Sequence, residues 1–185
     1  MNKIILASGS PRRQELLASL DLEFSVQAAD IDETIDTQNS LVDEIEQLSF
    51  KKAVAVFQDN KDAVVIGADT IVVYDNQILG KPKTAQKAFE MLKMIQGSWH
   101  QVITAVSIIS ATHSESFAVV SQVKFAPMTD EEIASYVQTD EPLDKAGAYA
   151  IQGIGARYIE KINGDYYAIM GLPISELYRR INKYL

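Results

Sequence analysis

The sequence contains no cysteine, only two histidines and no apolar run of membrane-spanning length. The lack of cysteine excludes disulfide bonds and thiolate chemistry, and it suits a reducing compartment. Neither His100 nor His113 lies at the spacing of a histidine metal motif, so no zinc site is expected. The first residues also lack the basic, apolar and cleavage regions of a signal peptide. Together these absences predict a cytoplasmic protein without a membrane segment.

Positive charge is also scarce. The chain has 17 Lys and Arg against 25 Asp and Glu, which gives a net charge of -8. This excess of acidic residues argues against sequence-independent binding to nucleic acid or to an anionic membrane. Cations at particular positions are therefore candidates for binding a small anion. The chain also lacks a Walker A motif, a dinucleotide fingerprint and the Gly-x-Ser-x-Gly frame of a hydrolase nucleophile.

What is present predicts one mixed α/β domain over residues 1–185. The chain is 185 residues long, 47% of them hydrophobic, with no low-complexity linker or repeat. Strand and helix patterns alternate, and adjacent hairpins make the sheet mixed rather than parallel. The clearest predictions are a strand over 63–74, helices over about 11–20 and 40–58, a capping box at Thr129, and a hairpin turn at Asn163-Gly164 between strands near 157–162 and 166–170.

The first chemical feature is the segment from Ser8 to Arg13. Pro11 suits the first position of a helix with Ser10 as its N-cap. Arg12 and Arg13 then lie in the first turn, where the helix dipole disfavours cations unless an anion binds there. A phosphate bound by hydroxyls, N–H groups and guanidiniums reverses that effect. The alternative is two solvated arginines beside an ordinary cap.

The second feature is Asp69, which interrupts the apolar run from Ala63 to Val73. A carboxylate in such a strand is costly unless it is paired or holds a metal. It could ligate a divalent cation or accept a proton from an attacking water, and the alternative is a structural aspartate that caps backbone N–H groups. Gly67 leaves room for a ligand or backbone to approach closely.

Two lysines and a glutamate are further candidates. Lys52 falls within the apolar stripe of the helix over 40–58, so it either snorkels to the surface or meets an anionic partner in a cavity. Lys81 is held extended by Pro82, although an exposed loop lysine is the commoner case. Glu33 lies in an acidic segment, where solvated carboxylates are the default. A metal site at Asp69 needs a second carboxylate or phosphate oxygens.

The stretch from Gly147 to Gly153 contains an amide, Gln152, between glycines. An amide both donates and accepts hydrogen bonds, which suits reading the edge of a nucleobase. The alternative is a glycine-rich turn that packs Tyr149 into the core.

These motifs, in this order, resemble the Maf family. The resemblance rests on Ala7 to Arg13 with Glu15-Leu16-Leu17, Gly67 to Thr70, Lys81-Pro82, and Asp140 to Gly153, and it continues through Lys161 to Gly164 and Gly171-Leu172-Pro173. It implies the Maf/inosine-triphosphatase-like fold: a mixed twisted sheet flanked by helices, with a central cleft between two lobes. It also implies a nucleoside triphosphate pyrophosphatase that requires Mg²⁺ or Mn²⁺. The segment from Leu48 to Ala53 departs from the usual family pattern, although Lys52 is retained.

The resemblance also implies roles for single residues. Asp69 matches the family's proton acceptor, and the implied site is catalytic Asp69, Lys52 and Lys81; substrate-binding Ser8, Arg12, Arg13, Thr70 and Gln152; and metal-binding Asp69 and Glu33. Arg12, Thr70 and Gln152 match the branch that acts on dTTP and UTP, whereas the 7-methyl-GTP branch has Trp, Gln and Glu there. Clean-up of non-standard nucleotides and nucleotide-dependent regulation of septum formation remain as alternatives. A homodimer is left open.

Overall fold

The computed structural model describes residues 3–185 and confirms a mixed α/β fold. The strands are β1 Lys3–Leu6, β2 Phe24–Val26, β3 Ala63–Tyr74, β4 Gln77–Leu79, β5 Trp99–Ile109, β6 Ser114–Phe125 and β7 Ile159–Asn163. The helices are α1 Pro11–Ala18, α2 Leu41–Phe57, α3 Ala85–Ile95, α4 Asp130–Val137, α5 Tyr166–Met170 and α6 Ile174–Ile181. Short 3₁₀ segments cover Glu141–Asp144, Ala146–Ala148 and Ile154–Tyr158. No helix within residues 3–185 combines the length and apolarity needed to cross a membrane.

The strands pair in the order β2-β1-β3-β5-β6-β7, and β4 pairs with β3. β1 runs parallel to both β2 and β3, with α1 and α2 as the connecting helices, whereas β4 and β7 are antiparallel to their partners. β4 follows β3 after the turn Asp75-Asn76, which suffices for an antiparallel pair, whereas the parallel pairs need long crossovers. β7 is also antiparallel to its partner β6, but it follows a long connection that contains α4.

The chain divides into two compact units, and β3, β5 and β6 contribute residues to both. The first unit comprises Met1–Asp69, Thr104–Val119 and Gly171–Leu185. One of its apolar clusters joins β1 and β3 to α2 through Ile5, Val65, Ala53 and Val56. The second unit comprises Thr70–Ile103 and Val120–Met170, and its core includes Leu92, Val123, Phe125, Ile133 and Tyr136.

Local signals place most of these elements correctly. The Thr129 capping box is formed, and the Ser40 and Thr84 side chains cap α2 and α3. Ser10 is the N-cap residue of α1 but makes no side-chain cap bond. Its own N–H instead donates to Ser8 Oγ at 3.3 Å.

The predicted hairpin at Asn163-Gly164 is wrong. β7 ends at Asn163, and the residues expected to form the return strand form α5 instead. The carboxylate of Asp165 accepts hydrogen bonds from the N–H groups of Tyr167 and Ala168, which starts a helix. Gly164 packs closely against Ser121, because a Cβ at position 164 would lie only 2.6 Å from Ser121 Oγ.

Candidate active site

The N-terminus of α1 gathers the first polar group of the candidate site. Pro11 is the first helical residue, so Arg12 and Arg13 occupy the first turn, which contains no acidic residue. The Arg13 guanidinium donates to Ser8 Oγ at 3.2 Å and to the carbonyl of Gly171 at 2.9 Å. These two bonds direct Arg13 toward Asp69, whose Oδ1 lies 4.0 Å from the guanidinium. Burial lowers the pKa of the Arg13 guanidinium, and the nearby Asp69 carboxylate opposes that change.

The second polar group is centred on Lys52. Its ammonium lies 2.7 Å from Asp69 Oδ1 and 2.7 Å from Glu33 Oε1. The Lys52 side chain is only 9% exposed, whereas that of Glu33 is 59% exposed. The prediction of a lysine that meets an anionic partner is therefore correct, and the snorkelling alternative is wrong. The neighbouring Lys51 is exposed.

The packing of α2 on β3 explains how Lys52 reaches Asp69. A Cβ at Gly67 would lie 2.3 Å from the carbonyl oxygen of Ser49 and 2.8 Å from the backbone nitrogen of Ala53. Only glycine therefore lets the helix approach the strand this closely. The sequence left open whether a ligand or backbone approaches Gly67, and the structure shows that it is the backbone of α2. Lys52 lies between Ser49 and Ala53 on α2, and Asp69 lies two residues after Gly67 on β3. Their side chains meet, 2.7 Å apart.

The two carboxylates could hold a divalent cation together with other ligands. Asp69 and Glu33 both lie within hydrogen-bond distance of the same ammonium, so their oxygens converge on one point. Across residues 3–185 no group of three or more His, Asp or Glu side chains forms a metal site. Mg²⁺ is commonly held by one or two carboxylates together with substrate phosphates, and this donor set fits that pattern.

The other predicted residues belong to the second unit. Thr70 directly follows Asp69 in β3 and is half-buried. Lys81 is exposed in the segment between β4 and α3. Gln152 is exposed in the turn that precedes the 3₁₀ segment Ile154–Tyr158, while Tyr149 nearby is 5% exposed and contacts His100 and Phe125. The alternative interpretation of this segment, in which Tyr149 packs into the core, is thus correct for Tyr149, and the amide of Gln152 is exposed all the same.

The sequence alone does not single out two groups that the structure makes prominent. The carbonyl of Gly171 orients Arg13 from a position 158 residues away. The carboxylate of Glu141 accepts hydrogen bonds from Tyr136 and from the backbone of Ile154 and Gly155. A carboxylate directly before proline inside a family motif was the available signal for Glu141.

Comparison with known proteins decides the family. The model of the Maf family, described as "Maf-like protein", matches residues 3–184. The chain belongs to the Maf family. Similar curated relatives include a dTTP/UTP pyrophosphatase of Bacillus cytotoxicus and one of Bacillus mycoides, 46% and 47% identical over 184 residues. Each alignment covers 100% of this chain and 96% of the relative.

A solved structure supports the fold of this Maf protein. The chain is similar to the Staphylococcus aureus Ham1 protein, with a TM-score of 0.55 and 14% identity over 99% of this chain and 100% of that one. At this identity the likeness concerns the fold alone. The Maf/inosine-triphosphatase-like fold class predicted from the motifs is therefore confirmed.

Proposed function

We propose that this Maf protein hydrolyses dTTP and UTP to the nucleoside monophosphate and pyrophosphate. The observation that carries the proposal is the cluster of Arg13, Lys52, Glu33 and Asp69, in which two cations and two carboxylates meet near the middle of β3. Relatives named dTTP/UTP pyrophosphatase, nearly half identical to the chain over its whole length, give the reaction class and the substrates.

The cations of the cluster would neutralise the triphosphate. The Arg13 guanidinium is already oriented by Ser8 and Gly171, so it needs little reorganisation to meet phosphate oxygens. The N–H groups at the start of α1 would add donors for the same anion. Lys52 would exchange part of its pairing with Glu33 and Asp69 for phosphate. Lys81 enters this proposal through its match to the Lys-Pro motif of the family.

Asp69 is the proposed proton acceptor. An attacking water forms a bond to the α-phosphorus and passes its proton to the Asp69 carboxylate. The bond from the α-phosphorus to the oxygen that bridges the α- and β-phosphates breaks, and pyrophosphate leaves with that oxygen. Lys52, 2.7 Å from Asp69 Oδ1, orients the carboxylate before the reaction. Charge stabilisation by Arg13 and Lys52 is the main contribution of the protein to the rate.

A divalent cation would be held by Asp69 and Glu33 together with phosphate oxygens of the nucleotide. When bound, Mg²⁺ or Mn²⁺ supplies charge neutralisation on the triphosphate. Only two protein carboxylates converge there in the part of the chain described, so tight metal binding is expected only when the nucleotide is present.

Base selection is proposed for Arg12, Thr70 and Gln152, which match the dTTP/UTP branch of the family. The amide of Gln152 can pair with the O4 and N3–H edge that uracil and thymine share. The 7-methylguanine base carries a positive charge and favours an aromatic face and a carboxylate, and these three residues supply neither.

Three further expectations remain proposals. Residues 1–185 act as one catalytic domain, which the family match over 3–184 supports. Hydrolysis takes place in the cytoplasm, where nucleoside triphosphates are made and used. A homodimer stays an untested prediction.

The test is a panel of dTTP, UTP, CTP, ITP and 7-methyl-GTP, assayed with Mg²⁺, with Mn²⁺ and with EDTA. We expect pyrophosphate from dTTP and UTP with either metal, none with EDTA, and far slower cleavage of 7-methyl-GTP. In ¹⁸O-labelled water the label should appear in the monophosphate, because attack is at the α-phosphorus. Release of inorganic phosphate, or label in pyrophosphate, overturns the reaction. A preference for ITP or 7-methyl-GTP overturns the substrate assignment only.

A further inference from the structure

The carboxylate of Glu141 has an unusual set of partners. It lies in the 3₁₀ segment after α4. It accepts a hydrogen bond from the hydroxyl of Tyr136 at 2.6 Å, and one each from the backbone N–H groups of Ile154 and Gly155 at 2.9 Å. No cation lies within salt-bridge distance of it in the part of the chain described. A carboxylate whose oxygens accept hydrogen bonds from backbone N–H groups holds that backbone in place. We call a residue in this role a brace.

Tyr136 is a second brace, on the other side of the turn that contains Gln152. The tyrosine is 1% exposed, and its hydroxyl accepts a hydrogen bond from the N–H of Ala150 at 3.2 Å. Glu141 and Tyr136 therefore hold the backbone before Gln152, at Ala150, and after it, at Ile154 and Gly155. The side chain of Gln152 stays exposed between these anchored points.

Two glycines make the contact possible. A Cβ at Gly153 would lie 2.1 Å from the Glu141 carboxylate, and a Cβ at Gly155 would lie 2.4 Å from the Tyr136 hydroxyl. Neither glycine has a positive φ, so the requirement is space rather than backbone conformation. The segment from Ala150 to Gly155 is thus packed directly against the two braces.

The charge of Glu141 is stabilised by these neutral donors. Burial raises the pKa of the Glu141 carboxyl, but hydrogen bonds from Tyr136, Gly155 and Ile154, with a smaller contribution from the charge of Lys145, outweigh it and hold the pKa below its ordinary value. The carboxylate is therefore ionised at neutral pH, and both of its oxygens accept hydrogen bonds.

We propose that Glu141, with Tyr136, is a positioning residue for base selection: it fixes the turn that carries Gln152, so that the amide meets the pyrimidine edge in one orientation. This inference rests on the proposed function, because it takes Gln152 as the residue that reads the base. Glu141 itself touches neither the substrate nor the reacting atoms in this proposal.

The test compares kcat/KM for dTTP and for 7-methyl-GTP in single and double variants. Glu141→Gln keeps the shape but places an amide donor against an N–H group, so one backbone donor loses its partner. We expect the ratio of the two kcat/KM values to fall about tenfold, mostly through KM for dTTP. Glu131→Gln removes the same charge from an exposed position on α4 and should leave the ratio unchanged.

A double variant separates positioning from general stability. If Glu141 acts through Gln152, Glu141→Gln changes the ratio in the wild-type background and leaves it unchanged in the Gln152→Ala background. An equal loss of selectivity in both backgrounds, or a lower melting temperature with the ratio unchanged, overturns the inference. Should Glu141→Gln fail to fold, Tyr136→Phe removes one anchor and keeps the ring, and it should reduce the ratio in the same direction.

Failure of the proposed function gives a different result. A wild-type protein that releases no pyrophosphate from dTTP overturns the function and this inference together. A wild-type protein that cleaves dTTP selectively, with a ratio that Glu141→Gln and Tyr136→Phe leave intact, overturns the inference alone.

Discussion

Two polar regions of this Maf protein are held in place in different ways. Around Asp69, the side chains proposed to react hold one another: Lys52 pairs with Asp69 and Glu33, and Arg13 is oriented by Ser8. Around Gln152, residues outside the proposed reaction hold the backbone, and the amide is left exposed. The first region can exchange its internal ion pairs for a charged substrate. The second region needs no rearrangement on binding, because Glu141 and Tyr136 hold the backbone while a different residue, Gln152, is proposed to contact the base.

This difference agrees with the proposed function, which gives chemistry to the first region and selectivity to the second. Substitutions around Asp69 should reduce turnover for every nucleotide, since they act on the triphosphate and the water. Substitutions around Gln152 should change which nucleotide is preferred, since they act on the base. The expected loss of activity therefore decreases from Asp69 to Lys52 to Gln152.

The largest effect is expected for Asp69→Asn. The substitution keeps the shape of the side chain and removes the proton acceptor, so kcat should fall by about a hundredfold or more for all substrates. Steady-state kinetics at saturating metal and nucleotide measure it. Asp62→Asn, which removes an exposed carboxylate just before β3, is the matched control and should retain activity. Wild-type turnover in Asp69→Asn would remove Asp69 from the mechanism.

Lys52→Ala is expected to have the next largest effect. Removal of the ammonium leaves two carboxylates facing each other and takes a cation from the triphosphate, so kcat/KM should fall about tenfold or more. Nucleotide with metal should raise the melting temperature of the wild type by linkage and raise that of Lys52→Ala much less. The adjacent, exposed Lys51 gives the control, because Lys51→Ala should behave as the wild type in both measurements. An unstable Lys52→Ala with normal turnover would make Lys52 a structural residue only.

Gln152→Glu should change selectivity more than rate. A carboxylate repels the O4 acceptor of uracil and thymine but favours the positive 7-methylguanine base, so the preference for dTTP should fall about tenfold. Competition between dTTP and 7-methyl-GTP in one reaction measures the ratio directly. Gln138→Glu, at the exposed end of α4, adds the same charge and should leave the ratio unchanged. An equal loss of activity for both substrates would indicate that Gln152 contacts the phosphates rather than the base.

The last effect concerns stability rather than activity, near the same turn. His100 is 3% exposed and shares a hydrogen bond of 2.8 Å with Tyr149, and burial lowers its pKa to about 4. The unfolded chain takes up this proton near the ordinary histidine pKa of about 6.5, and the folded protein takes it up only near pH 4. Acidification through that window therefore favours the unfolded state, by up to about 3 kcal/mol.

Unfolding free energies measured between pH 7 and pH 4 test this prediction. His100→Gln should lose this part of the pH dependence, whereas His113→Gln should keep it, because His113 is exposed. Equal pH dependence in the wild type and in His100→Gln would show that His100 does not stay neutral in the folded protein. Turnover at neutral pH should be unchanged in His113→Gln, as expected for an exposed residue outside the proposed site.

Local sequence patterns determined most of the secondary structure and the candidate residues. The apolar run of β3, the stripe of α2 with Lys52 in it and the caps at Ser40, Thr84 and Thr129 all depend on neighbours within about one or two helical turns, so they can be read from the chain. The motif order determined the family, since several short motifs at set spacing are far more specific than any one of them.

The tertiary structure alone decided which partners these residues meet. Arg13 donates a hydrogen bond to the Gly171 carbonyl, and Glu33 and Asp69 both pair with the ammonium of Lys52. Glu141 accepts hydrogen bonds from the backbone of residues 154 and 155. The Asn163-Gly164 prediction failed because the residues after Gly164 form α5, which the Asp165 carboxylate starts, and not a return strand. Gly164 suits both its positive φ of 130° and its close contact with Ser121. A local pattern records only the conformation that a segment favours. Contacts between distant segments depend on how the elements pack, and that packing is set by the whole chain.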